Sequence, residues 1–178
     1  VAVEAALIFP LLVVLVFGMI EFSLLMRDHV ATTSVVRAGA RTASASGSNP
    51  AFVQLTVDAM ERAGSALPRD SYESLWIYKA NDDGLPIGST GPNHFEAADC
   101  NTSCIRYQWN EARDEFRPVD VNAWPQSSIR ACPGAPFDAV GVYLSAEHKW
   151  VTGLFGTTTT VSDRAVLNFE PFALDECS

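Results

Sequence analysis

The chain has 178 residues, 48% of them apolar, with 21 acidic and 12 basic side chains and a formal net charge of −9. That length holds one domain and a small appendage, and the apolar share excludes wholesale disorder. The acidity, with a pI near 4.7, argues against a nucleic-acid partner, which calls for a basic surface.

The apolar residues are unevenly spread. Of the first 26 side chains 21 are apolar, all but Glu4, Pro10, Gly18, Glu21 and Ser23, and every basic residue follows Met26. Residues 5–20 carry no charge, and the run extends to Met26 if Glu21 is tolerated. A bilayer takes about 20 apolar residues, so this is a short span read as helix, with Arg27, Asp28 and His29 marking the exit into water. Pro10 lacks an N–H and is expected to kink or open the helix at Ala6. Glu4 is a carboxylate in an apolar run, which is costly unless paired. No Lys or Arg precedes Arg27, so the nearest cation for Glu4 is the α-amino group of Val1, its own or a neighbouring subunit's. The plainer alternative is a signal anchor whose Glu4 snorkels to the interface. The sequence starts at Val1 without the basic n-region of a secretory signal, so the expectation is a trimmed or processed N-terminus.

The run Val1-Ala2-Val3-Glu4-Ala5-Ala6-Leu7-Ile8-Phe9-Pro10-Leu11-Leu12, continued by Phe17-Gly18-Met19-Ile20-Glu21-Phe22, resembles the TadE-like pilins. These are minor pilins or pseudopilins of the tight-adherence (Tad, Flp-type) branch of type IV pilus machinery. Segments 105–109 and 138–155 are also similar to actinobacterial members. The family's glutamate commonly stands fifth in the mature chain, and here it stands fourth. The resemblance implies a leader removed by a prepilin peptidase, after which the new amine at Val1 docks with a glutamate such as Glu4 as subunits stack. Breaking a buried pair of opposite charges costs on the order of 3–5 kcal/mol, so such pairing would select subunit register.

Residues 27–46 continue the helix with small side chains. A helix over 2–45 would be about 65 Å long, twice a bilayer, so its second half must pack on a soluble domain. Arg37 and Arg41 share a face and are expected to complement the helix C-terminus, with Gly47 as the stop. In a second helix Asn49 is the expected N-cap and Pro50 the first residue, with Val53, Val57, Met60 and Ala63 on one face and Gly64 and Pro68 ending it.

Strands follow. Residues 74–80 form one, and Asn81-Asp82-Asp83-Gly84 signals a turn. Residues 104–109 and 116–119 make a hairpin. Residues 139–150 alternate, with Val140, Val142, Leu144, Ala146 and His148 on the buried face. Val161, Ala165, Leu167 and Phe169 form the apolar face of the last strand. Helices followed by strands with one buried face predict an α+β, pilin-like fold: a long N-terminal transmembrane or filament-core helix, a second helix and an antiparallel sheet head.

Cys100, Cys104, Cys132 and Cys177 favour two disulfides in an exported domain, with three pairings open and Cys100–Cys104 plus Cys132–Cys177 preferred. The rivals are a zinc site of Cys100 and Cys104 with His94 or Asp99, short of a second ligand pair, and a calcium site of Asp82, Asp83 and Asp99 without regular spacing. No metal or cofactor is expected. No hydrolase, P-loop or dinucleotide motif is present, and Asp138, Glu147 and Asp163 are not paired by sequence, so no enzymatic activity is expected.

The expected organisation is a pilin-like helix over 1–46, with 1–26 in the membrane or filament core, and a head over 47–178. The expected function is a structural subunit of a Tad-type pilus, with Val1, Glu4 and Pro10 as assembly residues. Its partners would be other pilin-like subunits, the cytoplasmic membrane before assembly and a prepilin peptidase, with the head outside the cell. The alternatives are a self-polymerising major subunit and a membrane-anchored binding module using loop 81–104.

Overall fold

A single helix, α1 (Ala2–Ala45), carries both the apolar run and the first element of the head. The computed structural model describes residues 2–89, 94–122, 124–134, 136–153, 155–173 and 177, and for 2–6, 122 and 126 the backbone alone. Five alanines and three arginines favour the helix over 27–45 against six β-branched residues, and in lipid the apolar half has no alternative that satisfies its own backbone. Pro10 sits inside α1, which is nonetheless assigned without a break, so the opening expected at Ala6 does not divide it.

From residue 28 onward α1 buries one stripe: Ala31, Thr32, Val35, Val36, Ala40 and Ala43. The spacing of three and four residues is that of one helix face. The stripe lies across the last two strands and against α2 (Phe52–Ala63).

Both helix ends differ from expectation. The α2 helix starts at Phe52, not Pro50, because Asn49 closes a turn ahead of it. Its Oδ1 accepts the Ala51 N–H at 2.8 Å and its carbonyl accepts the Phe52 N–H at 2.9 Å. At the end of α1 the last turn holds no base, and Arg37 and Arg41 point into solvent. The terminal carbonyls are met instead by Ser46 Oγ on Thr42 O, 2.6 Å, and by the Glu170 N–H on Ser44 O, 3.1 Å. Gly47 is buried but is not among the glycines with positive φ. It is small because the Phe169 ring packs on it: a Cβ there would lie 2.4 Å from Phe169 Cδ1.

Five antiparallel strands form one sheet in the order β3-β2-β1-β4-β5. They are β1 (Tyr72–Ala80), β2 (Cys104–Asn110), β3 (Glu115–Asn122), β4 (Ala139–Lys149) and β5 (Thr158–Asn168). Leu75 pairs with Leu144 and Ile77 with Val142, and these four are fully buried beneath the helices. In β4 the even residues 140–148 are all buried, as the alternation predicted. In β5 the expected face is only partly covered. Val161 is buried, Leu167 is exposed at the sheet edge, and Phe169 lies one residue past the strand, buried against Phe52 and Trp124.

The sheet is also covered on its far face, where one buried face was expected. Residues 75–78 are all buried. Trp76 and Tyr78 point away from the helices and meet Phe95, which stacks on Tyr143 with ring centroids 3.9 Å apart. The loop carrying Phe95 is tied down by Cys100–Cys104, and Cys132 is joined to Cys177. The second bond closes a 45-residue loop, a cross-link worth about 2–4 kcal/mol.

Gly47→Ala should therefore destabilise the head by about 1–3 kcal/mol through overpacking against Phe169. Urea unfolding of the detergent-solubilised chain checks this, and unchanged stability would show that the ring can move aside.

Candidate assembly and membrane interface

The N-terminal half of α1 leaves the head with its apolar surface uncovered. Leu7 is 75% exposed and Phe9 67%, and large exposed side chains continue to Phe22. Among the described residues this is the one helix long and apolar enough to cross a membrane, with a window of mean hydropathy 2.5. Pro10 lies on this exposed segment. Glu4 stands in the first turns of the helix, its side chain outside what the structure describes, and Val1 lies outside the described residues altogether.

The junction of helix and head is built around two acids that sequence reasoning passed over. Glu21 and Asp28, seven residues apart, lie on the stripe that faces the sheet, and both are buried. Glu21 has no solvent exposure at all. Its carboxylate accepts the Val151 N–H at 3.1 Å, the Thr152 N–H, and the Thr152 hydroxyl at 2.7 Å. Asp28 Oδ2 lies 2.7 Å from His148 Nδ1, at the end of β4, and Asp28 Oδ1 accepts from Arg27 at 2.9 and 3.0 Å. The Thr32 hydroxyl donates to the Asp28 carbonyl one turn on. A usable signal was present: 21, 28, 31, 32, 35 and 36 share one face, so an acid at 21 belongs with the stripe rather than with the lipid-facing residues.

The loop 150–157 between β4 and β5 reaches down along the helix to make these bonds. Phe155 Cζ lies 4.0 Å from where a Cβ on Gly18 would sit, and Trp150 packs against His148 and Phe155. Above it Lys149 pairs with Asp70 at 2.7 Å, both well exposed. That hydrogen bond holds the Asp70 carboxyl below its ordinary range and raises the Lys149 ammonium. In solvent such a pair adds little stability.

The other candidate groups are engaged elsewhere. Cys100 and Cys104 are oxidised to a disulfide, so neither is a thiolate for zinc. His94 Nδ1 lies 3.0 Å from Ser89 Oγ, and an Asp99 oxygen accepts the Glu96 N–H at 3.0 Å. Among the described residues no cluster of His, Cys, Asp and Glu could hold a metal. Asp138 is held by Lys79 at 2.7 Å and accepts the Arg130 N–H at 3.0 Å. Glu147 is nine residues along the strand, about 30 Å away, and Asp163 is on the opposite face of the sheet from Glu147. These three carboxylates do not form one site. Loop 81–104 lies on the sheet through Phe95 rather than standing free.

The two acids should separate in mutation. Asp28→Ala leaves buried His148 without its partner and should lower head stability by about 1–3 kcal/mol in urea unfolding. Glu21→Ala should leave the sheet intact while amide hydrogen exchange at Val151 and Thr152 rises on the order of tenfold or more. Equal protection at those two amides in both proteins would refute the role given to Glu21.

No curated protein and no solved structure matches the chain. The model of the family described as TadE-like protein matches residues 1–41, which cover the exposed apolar half of α1, both junction acids and most of the stripe under the sheet. The match falls on the same N-terminal helix whose first 22 residues resemble that family.

Proposed function

We propose that this chain is a structural, pilin-like component of a Tad-type pilus. The observation that carries the reading is the division of α1. Its N-terminal half is bare and apolar, its C-terminal half is the central helix of a disulfide-bonded head, and the TadE-like match runs along both. A head fixed to one end of an apolar rod can wait in a bilayer and then exchange lipid for the apolar rods of neighbouring subunits. The TadE-like pilins are structural rather than enzymatic, and among the described residues Asp138, Glu147 and Asp163 do not meet in one site.

In this reading residues 1–26 lie in the cytoplasmic membrane and later in a filament core, and the rest of the chain lies outside the cell. A prepilin peptidase acts on the precursor, and other pilin-like subunits are the partners. Glu4 meets an N-terminal amine of a neighbouring subunit, which offsets the desolvation of both charges. The size of the head supports a minor subunit rather than the major one, since major Tad pilins resemble a bare helix.

Glu4→Ala should reduce sheared surface filaments and cross-links between subunits by at least about tenfold, as loss of a buried ion pair would. The mutant protein should still be found in the membrane fraction. Filaments at wild-type yield would refute the Glu4 pairing.

A further inference from the structure

The loop 150–157 has a combination of features that water does not explain. Its sequence, Trp-Val-Thr-Gly-Leu-Phe-Gly-Thr, holds no charged residue. Val151 is 72% exposed and Phe155 61%. An exposed loop in water needs no internal acceptors for its N–H groups, yet this one has them. The Val151 and Thr152 amides donate to Glu21, Trp150 donates to Thr157 O at 3.0 Å, and Gly156 to Gly153 O at 3.4 Å. Outward apolar side chains beside N–H groups that find acceptors within the protein suit a low-dielectric surrounding.

The position of the loop fits the same surrounding. It meets α1 at Gly18 and Glu21, within the bare apolar half of the helix. Arg27 is six residues above Glu21 and nine above Gly18, about 9 and 14 Å along the axis. The Lys149–Asp70 pair is also above, at the end of β4. Arg27 therefore stands about 10 Å above the helix positions that the tip meets. That is the depth to which interfacial elements sink, about 5–10 Å into the headgroup and acyl boundary, and Trp is enriched there.

We propose that the β4–β5 tip is a second membrane contact, seated in the outer lipid–water interface beside α1. The tip meets the exposed apolar half of the helix at Gly18 through Phe155. By enclosing Glu21 the tip also keeps that carboxylate from facing acyl chains, where an uncovered charge is costly. The head would then stand on the membrane at two points, the helix and the tip, which fixes its tilt before assembly. The proposal rests on the reading of the N-terminal half of α1 as membrane-embedded.

The test uses the full chain in phosphatidylcholine vesicles. Its described cysteines are all in disulfides, so a new thiol takes an environment-sensitive dye selectively. Dyes are placed at Val151→Cys, at Phe155→Cys from the other side of the turn, at Leu11→Cys in the bare helix, and at Asp82→Cys at the far end of the sheet. Nitroxide lipids labelled at the interface should quench the 151 and 155 dyes at least about twofold more than the 82 dye, and aqueous iodide should quench them less. Iodide access at 151 and 155 equal to that at 82, with the 11 dye quenched by mid-chain nitroxide, would overturn the tip contact and leave the spanning helix standing. Shielding from iodide without lipid quenching would mean that protein covers the tip, and overturns it too. An 11 dye untouched by lipid nitroxide would sink the membrane reading and the tip with it.

Discussion

One helix serves two solvents, and the place where it changes from one to the other constrains everything else. Its C-terminal half is wetted by no water and no lipid on the side that meets the sheet. Its N-terminal half is bare of protein among the described residues except where the β4–β5 loop meets Gly18 and Glu21. A helix satisfies its own backbone in either surrounding, so the change need not interrupt it, and α1 runs unbroken through Pro10 and past the junction. What must change is the side chains, and they do so along the stripe: small residues at 31, 35, 36, 40 and 43 let the sheet approach, whereas bulky Leu, Phe and Ile stand outward before residue 23.

The head is built to hold that helix rigidly. Antiparallel pairing of β1 with β4 brings Leu75, Ile77, Val142 and Leu144 under Val35, Val36 and Met60, and α2 covers the remaining side. Coverage of the far face by Phe95 and the short disulfide turns the centre of the sheet into a layer buried on both sides. Two tyrosines show how dry the result is. Burial pushes the Tyr72 phenol up to about 12, its hydroxyl donating to Gly64 O at 2.9 Å, and it raises Tyr78 further.

Much of this was legible in the residues, and the failures have physical causes. The long helix announces itself as an unbroken apolar run continued by small side chains, β4 by a 2-residue period over some ten positions, and the hairpin of β2 and β3 by its turn. The second buried face escaped because Trp76 and Tyr78 were read as part of a strand without asking what covers them, although Leu-Trp-Ile-Tyr is apolar on both sides. Gly47 was read through its commonest use, a left-handed stop, when the cause is a ring that approaches from a distant segment. Nothing near Gly47 in sequence names Phe169. Glu21 was read against its neighbours in the chain, where it looks like an acid in lipid. Its partners lie some 130 residues later, and only the face it shares with Asp28 hints at them.

The two junction acids add to what apolar packing specifies. Gly39 packs so closely that a Cβ there would lie 2.6 Å from Met60 Cγ, which already resists sliding of the helix. Sliding α1 by one turn, about 5.4 Å, would take Glu21 from the amides of Val151 and Thr152 and Asp28 from His148. A buried carboxylate without its donors and a buried histidine without its partner add to the cost of each such slip. Buried polar contacts of this sort do their best-attested work in fixing register. Here the register sets the length of bare helix below the head. In the proposed function that length would have to match two things at once: a bilayer about 30 Å thick before assembly, and the packing of neighbouring rods after it. The same pair of contacts that holds the head in place thereby sets how deep the helix reaches in either surrounding.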